Sequence, residues 1–194
     1  MHEIEVAGER LQTNEVYYLL NKPSGVVTAV KDPNKITVID LIASADQQPS
    51  LYPVGRLDRD TTGLLLLTSN GQLGYELLLP DKKVEKTYQV TVNAKLGAED
   101  IRAFASGIRF ADGTKCQPAT LTISCATSKG SQAFLTIQEG KFHQVKKMFL
   151  AQGKKVSALT RISMGPLTLD EQLAPGAYRA LTLTELRQLS NYFK

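Results

Sequence analysis

Residues 55–71 read GRLDRDTTGLLLLTSNG. A charged stretch, Arg56 to Asp60, passes through a turn of small residues directly into the apolar run Leu64 to Leu67. Consecutive leucines bounded by turn residues predict a buried strand, Leu64 to Thr68, which Asn70-Gly71 closes. A charged loop tied to so rigid an element is a natural place for a site. Working outward, Gln72 to Leu79 has helical spacing, and Pro80 stops it. On the other side, Leu51 to Val54 and Val16 to Leu20 read as strands, the latter rich in β-formers. Asn21-Lys22-Pro23-Ser24-Gly25 reads as turn chemistry that breaks this strand. Val26 to Ala29 is expected to be a further strand, Thr37 to Ile42 a short helix, and Ser44 to Ser50 a polar loop.

The second half continues the mixture. Val84 to Val92 alternates like a strand. Gly97 to Gly107 is amphipathic, and Glu99 and Asp100 fall in its first turn, where acids favour a helix. Ala119 to Cys125 and Gln132 to Gln138 read as paired strands around a Ser-Lys-Gly turn. Glu139-Gly140-Lys141 is a turn, followed by a helix from His143 to Gln152 that Gly153 ends. Val156 to Ile162 and Leu167 to Leu169 read as strands, and Thr182 with Glu185 forms a capping box for a last helix. Strands and helices intermix without strict βαβ alternation. The expected class is α+β, with a mainly antiparallel sheet and flanking helices.

Composition bounds the function. The 194 residues suffice for one large domain or two small lobes sharing a core. No apolar run approaches a membrane span, and Met1-His2-Glu3-Ile4-Glu5 lacks the regions of a signal peptide. A cytoplasmic setting is therefore expected. Cys116 and Cys125 have no metal-ligand spacing and read as small buried or half-buried residues. The formal charge is +4. Lys82, Lys83 and Lys86 form one basic cluster, and Lys141, Lys146, Lys147, Lys154, Lys155 and Arg161 form another. Each reads either as a solvated face or as a grip on a phosphate backbone.

Several chemistries are missing their motifs. There is no phosphate-binding glycine loop, dinucleotide fingerprint, HExxH or GxSxG. The acidic residues of the 55–71 loop remain. Asp58 and Asp60 could work as a carboxylate pair. Alternatively, one carboxylate attacks carbon while a cation such as Arg56, Arg59, Lys146 or Lys147 holds its charge. Physics alone favours a third possibility, ordinary surface salt bridges.

The motif GRLDRDTTGLLLLTSNG resembles the one that carries the catalytic aspartate in pseudouridine synthases of the RsuA/RluB/RluE/RluF family. Tyr18-Leu19-Leu20-Asn21-Lys22-Pro23-Ser24-Gly25 is similar to the family's opening motif, and Glu85-Lys86-Thr87-Tyr88 to its tyrosine motif. Residues 139–149, EGKFHQVKKMF, are similar to its third motif. The ending, with Leu173-Ala174-Pro175-Gly176 and Tyr178-Arg179, also fits. The resemblance spans roughly residues 16 to 190. It implies a pseudouridine synthase fold of two lobes around a central cleft. It also implies an enzyme that isomerises uridine in ribosomal RNA without cofactor or metal.

Within the family, His143-Gln144-Val145-Lys146-Lys147-Met148 is similar to the RsuA form, which implies small-subunit rRNA, at uridine-516 of 16S, as the target. A large-subunit (23S) synthase and a non-catalytic rRNA-binding assembly factor are the competing readings. The resemblance implies Asp58 as nucleophile, Tyr88 stacking on the base, and Lys146 as the cation paired with the aspartate. Leu135 or Ile137 would pack beside the base. It also implies RNA contacts from Lys22, Arg56, Arg59, Lys86, Lys141, His143, Gln144 and Lys147. The partner is then rRNA or an assembling small subunit, with the enzyme a monomer and no membrane involved. Residues 1–14 are expected to be a remnant of the family's S4 domain and linker, and residues 15–194 the catalytic domain.

Overall fold

A computed structural model describes residues 4–6, 9–11 and 15–192. In chain order the strands are β1 (Ile4–Val6), β2 (Glu9–Leu11), β3 (Tyr17–Lys22), β4 (Tyr52–Pro53), β5 (Thr62–Thr68), β6 (Lys86–Val92), β7 (Thr120–Thr127), β8 (Gly130–Ile137), β9 (Val156–Met164), β10 (Leu167–Thr168) and β11 (Tyr178–Ala180). The helices are α1 (Gly71–Leu78), α2 (Ala98–Ser106), α3 (Gln144–Ala151) and α4 (Leu183–Leu189), with short 3₁₀ turns at Pro80–Lys82 and Ser190–Tyr192. The α+β class follows. The chain divides into two compact units, residues 1–82 with 165–194, and residues 83–164.

In the first unit β5 lies between β3 and β4, antiparallel to both, and β11 adds to the other side of β3. Leu64 to Leu67 are wholly buried. A strand covered on both faces needs an unbroken apolar run rather than an alternating one, which is what the four leucines supply. Asn70 caps α1, its side chain accepting the Leu73 N–H at 2.7 Å. Gly74 lets α1 settle on Tyr52, because a Cβ there would collide with the Tyr52 hydroxyl. β1 and β2 pair antiparallel, inside the segment expected to be an S4 remnant.

The second unit is a four-stranded antiparallel sheet, in the order β9-β6-β8-β7. Lys86, Tyr88, Val90 and Val92 alternate as its buried face. The sheet's helices meet through Phe104 of α2 and Phe149 of α3, whose ring centroids are 4.8 Å apart. Asp100 accepts the Gly97 N–H at 2.9 Å, which caps α2, and pairs with Lys154 at 2.6 Å, which ties α2 to the turn after α3.

Three local expectations are corrected. Residues 37–42 form no helix. Thr37 and Asp40 exchange the hydrogen bonds of a capping box, with Asp40 Oδ2 accepting the Thr37 N–H at 2.7 Å, yet only a turn follows. The next residues, Ser44 to Ser50, are polar and end in Pro49-Ser50, so no apolar face rewards elongation. Val26 to Ala29 is reduced to a single parallel bridge, Val27 to Thr37. Asn21 and Lys22 do not break β3. They continue it, paired with Leu64 and Gly63, and the turn begins at Pro23.

Candidate active site

In the first unit the loop before β5 is fixed from several directions. Leu57 is buried, and Thr28 clamps its backbone. The Thr28 hydroxyl donates to the Leu57 carbonyl at 2.9 Å and accepts the Leu57 N–H at 3.2 Å. Beyond Asp58, the Arg59 carbonyl accepts the Gly25 N–H at 2.9 Å, and Arg59 Nε donates to the Gly25 carbonyl at 2.9 Å. The Asp58 carbonyl accepts the Thr61 N–H at 3.1 Å, closing a turn. Asp58 itself is half-buried, between anchored neighbours on both sides. Anchoring of this kind positions a reacting group before substrate arrives.

Lys22 holds this loop from beneath. It is fully buried, and its ammonium donates to the carbonyls of Thr61 at 2.8 Å, Pro23 at 3.1 Å and Arg59 at 3.2 Å. Lys22, expected to contact RNA, is thus placed beneath the loop. Its charge faces the protein's own backbone, and reaching a phosphate would strip the buried Thr61 carbonyl and the part-buried carbonyls of Pro23 and Arg59 of a donor. Gly25, at φ +89°, supplies the left-handed turn that carries the chain from Lys22 to the Arg59 contact. Arg56 and Arg59 are exposed, although Arg59 spends its Nε on Gly25.

In the second unit Tyr88 is buried on β6, opposite Leu135 of β8 and Arg161 of β9. The β6–β9 register shifts between Thr87 and Tyr88, where β9 carries one extra residue. Such a bulge twists a strand and re-aims the neighbouring side chains. Lys86 shares the buried face. Burial first, and the positive charge of Arg161 second, lower its amine to about 8, and it donates to the Val84 carbonyl at 3.0 Å. Lys86 and Arg161 are thus buried rather than part of the solvated basic clusters in which the sequence had suggested them.

The segment leading into α3 is tied down by Gln144. Its amide donates to Glu139 at 2.6 Å, and its carbonyl accepts the Lys141 N–H at 2.8 Å. Glu139 also pairs with Lys141 and accepts the Gln117 N–H at 2.9 Å. Gln144 is buried, so its side chain organises the helix start instead of meeting RNA. Lys141, Lys146 and Lys147 are half-buried and His143 is exposed. Neither the Thr28 clamp nor the depth of Lys22 is legible in the sequence, because neither residue type marks such a role by spacing.

A family model described as RNA pseudouridylate synthase matches residues 16–151. The chain is 44% identical to the uncharacterized RNA pseudouridine synthase YtzG of Bacillus subtilis (strain 168), over 97% of this chain and 79% of that protein. It is 40% identical to the ribosomal small subunit pseudouridine synthase A of Escherichia coli (strain K12), over 95% of this chain and 79% of that protein. A crystal structure of a pseudouridylate synthase superposes with a TM-score of 0.82 at 37% identity, covering 96% of this chain and 80% of the other. The archaeal box H/ACA Nop10–Cbf5 complex, at 18% identity and TM-score 0.60 over 83% of this chain and 51% of the other, shares the fold alone.

Proposed function

Because the chain belongs to the RNA pseudouridylate synthase family, and is therefore an isomerase, we propose that it converts one uridine of small-subunit rRNA, uridine-516 of 16S, to pseudouridine. The substrate is the naked rRNA or an assembling small subunit. The reaction breaks the C1′–N1 bond of the uridine, turns the base, and joins C1′ to C5. The C5 proton leaves and N1 gains one, so nothing is oxidised and no group is transferred away. The target is extracted from its stack before reacting.

In this reading the ionised carboxylate of Asp58 acts at the ribose, and Lys146 supplies the cation that keeps it ionised. Tyr88 stacks on the base and assists the proton at C5, while Leu135 and Ile137 offer it apolar packing. Arg56, Arg59, Lys141, His143 and Lys147 contact the RNA around it. The observation that carries the reading is the clamped loop. Asp58 sits half-buried between Leu57, held by Thr28, and Arg59, held by Lys22 and Gly25. So much backbone anchoring around one carboxylate is not needed for a surface salt bridge. The small-subunit target is supported by the likeness to the Escherichia coli ribosomal small subunit enzyme.

The test is to incubate the protein with unmodified small-subunit rRNA, naked and in partly assembled particles. Pseudouridines are then mapped by carbodiimide-dependent reverse-transcription stops. One new stop, at uridine-516, is expected. Stops only on large-subunit rRNA would overturn the target.

A further inference from the structure

α3 is preceded by a pair of stacked rings, of which the reading above uses only His143, as an RNA contact. Phe142 is 70% exposed, so the fold gains little from it. Single exposed apolar side chains are common, but this one has an ordered setting. The His143 ring lies 3.7 Å from it, with the planes 23° apart. The His143 backbone is left-handed, at φ 54° and ψ 32°, a conformation uncommon outside glycine that persists where the surroundings enforce it. Here the Gln144–Glu139–Lys141 contacts enforce it. Lys147 completes the group, its Nζ 5.3 Å from the Phe142 ring centroid and 5.6 Å from that of Phe110.

An ordered aromatic stack, open to water and flanked by a cation, matches what an unpaired base requires. The base lays its flat face on the rings, and its phosphate finds the ammonium. A protein partner would want a wider apolar surface around the ring, whereas here the neighbours are His143, Lys147 and Lys141. We propose that the Phe142–His143 stack, with Lys147 beside it, is a platform on which a second, non-reacting base of the RNA substrate stacks. The proposal rests on the RNA-modifying reading above, and adds a subsite that grips single-stranded RNA next to the target nucleotide.

The chain contains no tryptophan, so Phe142→Trp introduces a single indole at the platform. Leu150→Trp places one at another exposed site on α3, since Leu150 is 66% exposed, and serves as the control. The probes are an oligouridine of about a dozen nucleotides and a transcript of small-subunit rRNA. Saturable quenching of the indole at position 142, well above that of the control, is expected with both. Phe142→Ala should weaken transcript binding about tenfold without changing its salt dependence. Lys147→Ala should lower the salt slope by about one. Quenching no greater than in the control, or wild-type affinity in Phe142→Ala, would overturn the platform. Pseudouridine formation by the wild type is scored on the same transcript. Quenching without modification supports the platform and removes the assigned target, and modification without quenching does the reverse.

Discussion

The ammonium of Lys22 lies 2.8 Å from the carbonyl oxygen of Thr61, and so props from inside the loop that presents Asp58. Replacing Lys22 with Met leaves the buried Thr61 carbonyl, and the part-buried carbonyls of Pro23 and Arg59, short of a donor, a loss of about 1–3 kcal/mol in stability. A displaced Asp58 would lower kcat by roughly 10²-fold and leave KM for rRNA nearly unchanged. Single-turnover rates and a denaturant titration check both. A phosphate-binding lysine would instead change the salt slope of RNA binding by about one, and here that slope should not move.

Thr28 makes a companion prediction. Valine has nearly its shape but no hydroxyl, so Thr28→Val strips both the N–H and the carbonyl of buried Leu57 of a partner. The cost should be about 1–3 kcal/mol, read from the shift in denaturation midpoint at constant m. Catalysis should fall further than in a surface control of equal stability.

Lys86 gives a pH signature. Its amine titrates at about 8 in the folded protein, against 10.5 when unfolded. Folding therefore disfavours the charged form. The penalty is fully present below pH 8, is relieved as pH rises from about 8 to 10.5, and is gone above that. The stability of Lys86→Met relative to wild type should thus shift in the variant's favour as pH falls from about 10.5 to 8, against a pH-independent loss of the bond to the Val84 carbonyl. Parallel urea titrations at pH 7, 9 and 10.5 measure it.

At the other end of the pH scale, Glu185 is held down to about 2, chiefly by its hydrogen bonds with Arg179, against 4.5 in the unfolded chain. It accepts from Arg179 at 2.8 and 2.9 Å and caps α4 through the Thr182 N–H at 2.7 Å. Its stabilising effect is complete above pH 4.5 and is lost as pH falls towards 2. Glu185→Gln should lower stability at neutral pH and flatten the acid limb of the stability curve between those values.

Much of this was legible in the residues. Leu64 to Leu67 announced the central strand of the first unit because a run buried on both faces cannot alternate. Thr182 with Glu185 announced α4 because the capping box is local. β11 was not anticipated. Its three residues, Tyr178 to Ala180, have no periodicity to read and exist because β3 offers an edge, with Arg179 held by Asp170 and Glu185. Residues 37–42 misled for the opposite reason, since a good cap and a short apolar run stood before the polar stretch Ser44 to Ser50, which offers no apolar face to lengthen a helix.

The site divides in the same way. Asp58 was marked by a long motif, but the environment of each lysine was not. Lys22 and Lys86 look in sequence like their exposed neighbours Lys31 and Lys83, because burial of a charge depends on strands that pair across tens of residues. The β9 bulge opposite Tyr88 is equally a matter of register, which side-chain patterning alone does not reveal.

The central claim is that the Asp58 carboxylate does the chemistry. Isomerisation expels the proton on C5 of the target, so rRNA transcribed with uridine tritiated at C5 releases tritium to water once per turnover. The most direct measurement compares wild type with Asp58→Asn on that transcript, alongside the affinity of each for it. Release slowed by about 10³-fold or more, with RNA affinity kept, is the predicted result. Tritium release by Asp58→Asn at close to the wild-type rate would contradict the account.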